Sequence, residues 1–233
     1  MPKLSNIFFD LDGTLTDSQE GILKCFRYSL EKMGRSVPGE LKVSEIIGPP
    51  LSSVFSNLLG STDMRLIDKA LVYYRERYGG TGIYEQQVYP GMIDLLSWLK
   101  ANSINLYVVT IKPEVYANRI IEHFFPAGIF SGIFGTSLDG RFNDKADHIE
   151  SILLDLELEP EETLMIGDRR QDILAGKLNH TQTIGVTYGY GSRREVVDSI
   201  PNYVCACVEE IRMAITTMLQ TVPENQKVRS VKR

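Results

Sequence analysis

The stretch Ile7-Phe8-Phe9-Asp10-Leu11-Asp12-Gly13-Thr14 constrains this chain more than any other. Three apolar residues in a row predict a strand buried on both faces, the kind found in parallel sheets. Two aspartates then arrive two positions apart, and Gly13 marks the point where the strand ends and the backbone turns. Open α/β sheets bind ligands at the carboxyl ends of their strands, where these carboxylates fall. Two desolvated carboxylates close together repel. Such a pair persists where a cation lies between them or where one carries a proton. Asp and Gly are also ordinary turn residues, so the spacing alone leaves a plain strand-end turn open.

The signal recurs downstream. Apolar runs predict strands at Asn105–Thr110, near Gly132–Gly135, at Thr163–Ile166 and at Thr183–Thr187, with Tyr203–Cys207 as a last edge strand. Helical patterns separate them, at Met92–Lys100, from Lys112-Pro113 through His123, from Lys145 through Leu156, and near Gln171–Leu178. Alternating strand and helix implies a parallel sheet with right-handed crossovers. Asp168 ends the fourth strand as Asp10 ends the first. For these acidic groups to share a site, the first and fourth strands must be neighbours.

Residues 17–86 read differently. Ile22, Cys25, Phe26, Leu30 and Met33 share one helical face. Leu51, Val54, Phe55, Leu58 and Leu59 share a second, and Ile67, Ala70, Leu71, Tyr74 and Tyr78 a third. Gly48-Pro49-Pro50 is a hard break between helices, and Gly79-Gly80-Thr81-Gly82 reads as a flexible exit. A helical bundle without strands, lying between two parts of a parallel sheet, is an inserted domain. The expected division is a core of residues 1–16 and 87–220, a helical insert of residues 17–86, and a disordered tail of residues 221–233.

The net charge is −5, and no basic stripe occurs outside the last seven residues, which argues against nucleic acid as a partner. Cys25, Cys205 and Cys207 have neither zinc-ligand spacing nor a disulfide framework, which suits a reducing cytoplasm. Asp10 and Asp12 interrupt the apolar N-terminus, so no signal peptide is expected. No apolar run approaches the ~20 residues that span a bilayer.

Asp10-Leu11-Asp12-Gly13-Thr14-Leu15 resembles the first motif of the haloacid dehalogenase-like phosphohydrolases. Gly167-Asp168-Arg169-Arg170-Gln171-Asp172, by itself an ordinary helix start, resembles the fourth. Thr110 matches the second motif and Lys145 the third, so all four occur in order. Asp17-Ser18-Gln19-Glu20-Gly21-Ile22, Ile47-Gly48-Pro49-Pro50-Leu51, Gly82-Ile83-Tyr84-Glu85 and Val88-Tyr89-Pro90-Gly91 resemble the bacterial 5'-nucleotidase-like members of the phosphoglycolate phosphatase-like branch.

The resemblance implies a Rossmann-like sheet of order 5-4-1-2-3 with a type 1 helical cap. It implies Asp10 as nucleophile and Asp12 as general acid/base. It implies Mg²⁺ held by Asp10, the backbone carbonyl of Asp12, and Asp168, with Asp172 a ligand or an outer partner. Thr110 would donate to a phosphate oxygen. Ile111 stands where the branch often has Ser or Asn, leaving only its backbone N–H for phosphate. Lys145 would offset the crowded carboxylates and hold the phosphoryl group, with Lys112 as a competitor for that role. Gly48 would let its turn approach the leaving group.

The implied function is an Mg-dependent phosphomonoesterase working through an aspartyl phosphate, on a nucleoside 5'-monophosphate or phosphoglycolate. A phosphomutase and a non-catalytic phospho-ligand-binding protein are the alternatives; Asp12 argues against a dehalogenase, which needs no acid there. The expected partner is a small-molecule phosphomonoester, with no nucleic acid and no membrane, and the expected state is a monomer or homodimer.

Overall fold

The structure is a computed structural model, and it describes residues 3–37, 39, 42–137 and 144–220. The expected disorder of residues 221–233 falls outside that range. The strands in chain order are β1 (Asn6–Phe9), β2 (Thr16–Asp17), β3 (Gln87–Val88) and β4 (Asn105–Pro113). There follow β5 (Gly132–Thr136), β6 (Thr163–Gly167), β7 (Gln182–Val186) and β8 (Tyr203–Cys205). Between β2 and β3 lie helices α1 (Gln19–Lys32), α2 (Val43–Ile46), α3 (Leu51–Leu59) and α4 (Met64–Gly80). The remaining helices are α5 (Met92–Ala101), α6 (Glu114–Phe124), α7 (Lys145–Asp155), α8 (Arg170–Leu178), α9 (Arg193–Asp198) and α10 (Val208–Gln220).

Six strands form one sheet in the order β5-β4-β1-β6-β7-β8, every neighbouring pair parallel. Five of them keep the expected 5-4-1-2-3 order. That order is short by one strand, because Tyr203–Cys205 pairs with Ile184–Val186 and extends the sheet at its edge. Phe9 lies opposite Val108 on one side and Ile166 on the other. This register brings Asp10, Thr110 and Asp168 out at the same end of three adjacent strands.

Alternation along β1 sorts the core into two layers. Ile7 and Phe9 face one side with Leu106, Val108, Leu164 and Ile166, under Leu95, Leu96 and Leu99 of α5 and Ile120 of α6. Phe8 faces the other side with Tyr107, Val109 and Met165, under Ile149 and Ile152 of α7 and Ala175 of α8. Each fully buried Phe contributes roughly 1.5–3 kcal/mol of hydrophobic stabilisation. The insert has its own aromatic centre. Phe26 lies 4.9 Å from Phe55 and 4.9 Å from Tyr74, ring centre to ring centre.

Three further expectations need correcting. Thr16–Asp17 pairs antiparallel with Gln87–Val88, so a two-stranded ribbon stands where the insert leaves and rejoins the sheet. Strand β4 runs on through Lys112 to Pro113 rather than ending at Thr110. The glycines of 79–82 are no flexible exit. Gly79 and Gly80 end α4, and Gly82 is buried in a 3₁₀ turn against Gly21, where a Cβ would stand 2.1 Å from the Gly82 carbonyl oxygen. The absent side chains let α1 and that turn approach closely.

Candidate active site

Asp10 leaves the end of β1, Asp168 follows β6, and Asp172 lies in the first turn of α8. One carboxylate oxygen from each falls within 4.8 Å of the others, and all three residues are buried. Each carboxylate is held from behind. The Asp172 Oδ2 accepts from the Arg169 backbone N–H at 2.9 Å, which also caps the start of α8. The Asp168 Oδ2 accepts from the N–H groups of Tyr190 (2.7 Å) and Gly191 (3.2 Å). Thr14 donates its hydroxyl to Asp168 Oδ1 at 3.4 Å.

That grip needs bare backbone. A Cβ on Gly13, whose φ is +88°, would stand 2.5 Å from Asp168 Oδ2, and one on Gly191 1.9 Å from the Asp168 carbonyl oxygen. The Gly189-Tyr190-Gly191 segment reads in the sequence as a plain loop. Its alternating glycines directly after a buried strand were the available signal for a close approach.

Lys145 supplies the fixed positive charge. Asp144 caps α7 by accepting from the Ala146 N–H, which places Lys145 at the first helical position. Its ammonium donates to Asp10 Oδ1 at 2.7 Å and to Asp172 Oδ1. The side chain is only 4% exposed. Burial pulls its pKa down, but the Asp10 and Asp172 charges outweigh that and leave it above the usual lysine value. Lys112 does not compete for these carboxylates, because its ammonium is bonded to Asp12 Oδ2.

Burial drives the Asp10 pKa up to about 6; Lys145 opposes the rise, and the Asp172 charge adds to it. Burial likewise drives Asp168 up to about 7, reinforced by Asp172 and Asp10 and opposed by the two backbone N–H groups. One ammonium, bonded to two of these three buried carboxylates, thus leaves negative charge uncompensated. A set of hard oxygen donors with excess negative charge fits Mg²⁺ or a similar hard divalent cation.

The other sequence-predicted residues are placed as follows. Asp12 points its carboxylate at Lys112, and it is not among the clustered carboxylates. Its Oδ1 is buried with no hydrogen-bond partner among the described residues. Thr110 is buried at the end of the apolar run, where its hydroxyl oxygen accepts from the Lys112 N–H at 3.2 Å. Ile111 is 42% exposed and its carbonyl accepts from the Thr136 hydroxyl. Gly48, at φ +113°, lies against Arg169: a Cβ there would stand 2.6 Å from the Arg169 Nη1.

Arg169 and Tyr190 are what the sequence reading missed. The Arg169 guanidinium donates from Nη1 to the Ile47 carbonyl of the insert at 2.7 Å and from Nε to Glu195 Oε1 at 3.0 Å. The Tyr190 hydroxyl donates to Asp17 Oδ1 at 2.9 Å and accepts from the Ser18 N–H at 2.6 Å. Both residues therefore tie the loops around Asp168 to the insert or to its first connection. As one of two consecutive arginines, Arg169 carried no sequence sign that set it apart from a solvated charge.

A family profile described as haloacid dehalogenase-like hydrolase matches residues 7–186, most of the chain and the whole acidic cluster. The chain belongs to that family. It is 39% identical over 213 residues to a protein named 5'-nucleotidase from Pseudomonas aeruginosa, covering 91% of this chain and 96% of that one. It is 34% identical to a Mycobacterium tuberculosis protein named tyrosine-protein kinase PtkA, covering 90% of this chain and 72% of that one. Among solved structures, a predicted phosphatase from Clostridium acetobutylicum superposes with a TM-score of 0.84 at 38% identity, covering 93% of this chain and all of that one. Further relatives carry the name phosphoglycolate phosphatase. The chain is thus a phosphatase of the haloacid dehalogenase-like family. No helix among the described residues is long and apolar enough to cross a membrane.

Proposed function

We propose that this phosphatase hydrolyses a small phosphomonoester, a nucleoside 5'-monophosphate or phosphoglycolate, through a phosphoryl group carried on Asp10. The observation that carries the reading is the buried cluster of Asp10, Asp168 and Asp172, with the Lys145 ammonium bonded to the first and the last. Three carboxylates gathered in a desolvated place are a liability to the fold unless chemistry uses them.

In the first step an Asp10 oxygen attacks phosphorus. The P–O bond to the leaving group breaks as the P–O bond to Asp10 forms. Asp12 gives its proton to the departing alkoxide, and then removes a proton from the water that attacks the same phosphorus and frees Asp10. Lys112 holds Asp12 Oδ2. The partnerless Oδ1 is therefore the oxygen that transfers the proton. Lys145 holds Asp10 toward phosphorus, and with Thr110 and the Ile111 backbone N–H it meets the charge on the phosphoryl oxygens. Asp10, the Asp12 carbonyl and Asp168 would hold Mg²⁺, with Asp172 on Lys145 as an outer partner, and the ion would supply further charge neutralisation at phosphorus.

Residues 17–86 serve as a lid, in this reading, with the β2–β3 ribbon and the adjoining Ser18–Gln19 and Glu85–Gln86 as hinges. Gly48 and Arg169 form its latch on the core. The cysteines are all free, which suits a reducing cytoplasm.

The test is phosphate release from a panel of nucleoside monophosphates, phosphoglycolate, sugar phosphates and pyrophosphate, in Mg²⁺ and in EDTA. Metal-dependent turnover led by the first two classes is expected. Full activity in EDTA after dialysis would remove the metal from the account, and a requirement for a sugar bisphosphate would make the protein a phosphomutase.

A further inference from the structure

Two side-chain oxygens near Lys112 are buried and have no hydrogen-bond partner among the described residues: Asp12 Oδ1 of the core and the Tyr78 hydroxyl of the insert. Lys112 joins them. Its ammonium is bonded to Asp12 Oδ2 and lies 5.1 Å from the centre of the Tyr78 ring. Tyr78 thus stands one side chain away from the group assigned to protonate the leaving alkoxide.

The ring is fixed from both sides. It stacks on Tyr74 of α4 at 5.7 Å with the planes 11° apart, and meets Tyr116 of α6 edge-on at 5.1 Å. Tyr78 is 4% exposed. Burial, followed by the Asp12 charge, pushes its pKa well above the usual tyrosine value, so the hydroxyl keeps its proton and remains a donor. A buried hydroxyl without an acceptor is destabilising, and a phenylalanine would fill the same space without that cost. Tyr78 and Asp12 do not bond to each other. An oxygen arriving with the substrate would give the hydroxyl its acceptor.

We propose that Tyr78 donates a hydrogen bond to an acceptor oxygen of the leaving group, carried on the second carbon from the ester oxygen. The inference rests on the phosphomonoesterase reading above and adds the chemistry by which the insert recognises its substrate. The two substrate classes share this feature. In a nucleoside 5'-monophosphate the ester oxygen, one CH₂ and one carbon lead to the ribose ring oxygen. In phosphoglycolate the same three atoms lead to a carboxylate oxygen. Ethyl phosphate has the same skeleton without the acceptor.

The experiment measures kcat/KM of wild type and Tyr78→Phe on a nucleoside 5'-monophosphate, phosphoglycolate and ethyl phosphate, with the thermal midpoint of each protein. The variant is expected to lose about tenfold or more on at least one of the first two. Its ethyl phosphate activity should hold within about twofold, and its midpoint should stay or rise. Loss on phosphoglycolate alone identifies the acceptor as a carboxylate; loss on the nucleotide alone identifies the ring oxygen. Equal loss on all three substrates overturns the proposal, because Tyr78 would then act through Lys112 and Asp12. No loss on any also overturns it. A wild type that turns over no phosphomonoester defeats the function proposed above and this inference with it.

Discussion

Lys145→Met removes one ammonium and leaves a side chain of similar length and apolar stem. The ammonium is bonded to Asp10 at 2.7 Å and to Asp172, in a side chain 4% exposed. Removing one partner of a buried ion pair costs about 3–5 kcal/mol when the other must stay charged. Asp10 has an escape, since it can take up a proton. The Asp10 pKa is already raised from 3.8 to about 6 with Lys145 opposing the rise, so without Lys145 it goes higher. A carboxyl whose pKa is higher in the folded state binds more protons folded than unfolded. Its contribution is fully present below the unfolded value and is lost as pH climbs through the folded one. The variant's penalty should therefore be small near pH 5.5 and approach about 3 kcal/mol at pH 8, or roughly 6–12 °C in midpoint for a chain of this size. Thermal unfolding of both proteins in EDTA at the two pH values reads this directly. The wild type carries its own decline, because Asp168 is raised to about 7, so the difference between the proteins is the quantity that counts. An equal midpoint loss at pH 5.5 and pH 8 would mean that Lys145 packs and does not neutralise.

Asp12→Asn should slow release of the alcohol far more for an alkyl phosphate than for p-nitrophenyl phosphate in a single turnover, because a good leaving group needs little protonation; equal slowing would remove Asp12 as the acid. Gly48→Ala forces a Cβ within 2.6 Å of Arg169 Nη1 and so disturbs the same latch that Arg169→Ala deletes. Each should lower kcat/KM for a nucleotide by about tenfold with far less effect on acetyl phosphate. The double variant should lose no more than the worse single one, and additive losses would show that the two residues act separately.

The sheet was legible because its central strands are continuous apolar runs, and Phe8-Phe9 and Leu164-Met165-Ile166 have nowhere to go but inside. The acidic ends of those runs then pointed to one site, since only adjacent strands bring Asp10 and Asp168 together. The β2–β3 ribbon was not legible, because two residues on each side carry no period to read. Gly82 was misread because a glycine needed for close packing and one needed for flexibility look alike in a sequence. The partners of Lys112 and Arg169 were hidden for another reason. Lys112 meets Asp12 across 100 positions, where the ends of two neighbouring strands come together, and Arg169 meets Ile47 across 122, where the insert folds back on the core. Local spacing carries no trace of them.

The central claim is that Asp10 carries the phosphoryl group, and chemical trapping tests it most directly. The enzyme is mixed with substrate and Mg²⁺, quenched in acid within one turnover, and treated with borohydride, which reduces an acyl phosphate to an alcohol. Peptide mass spectrometry then reads the position. The account predicts reduction at Asp10 alone, absent in Asp10→Asn and absent without substrate. Reduction at another carboxylate, or none during measurable turnover, would contradict it.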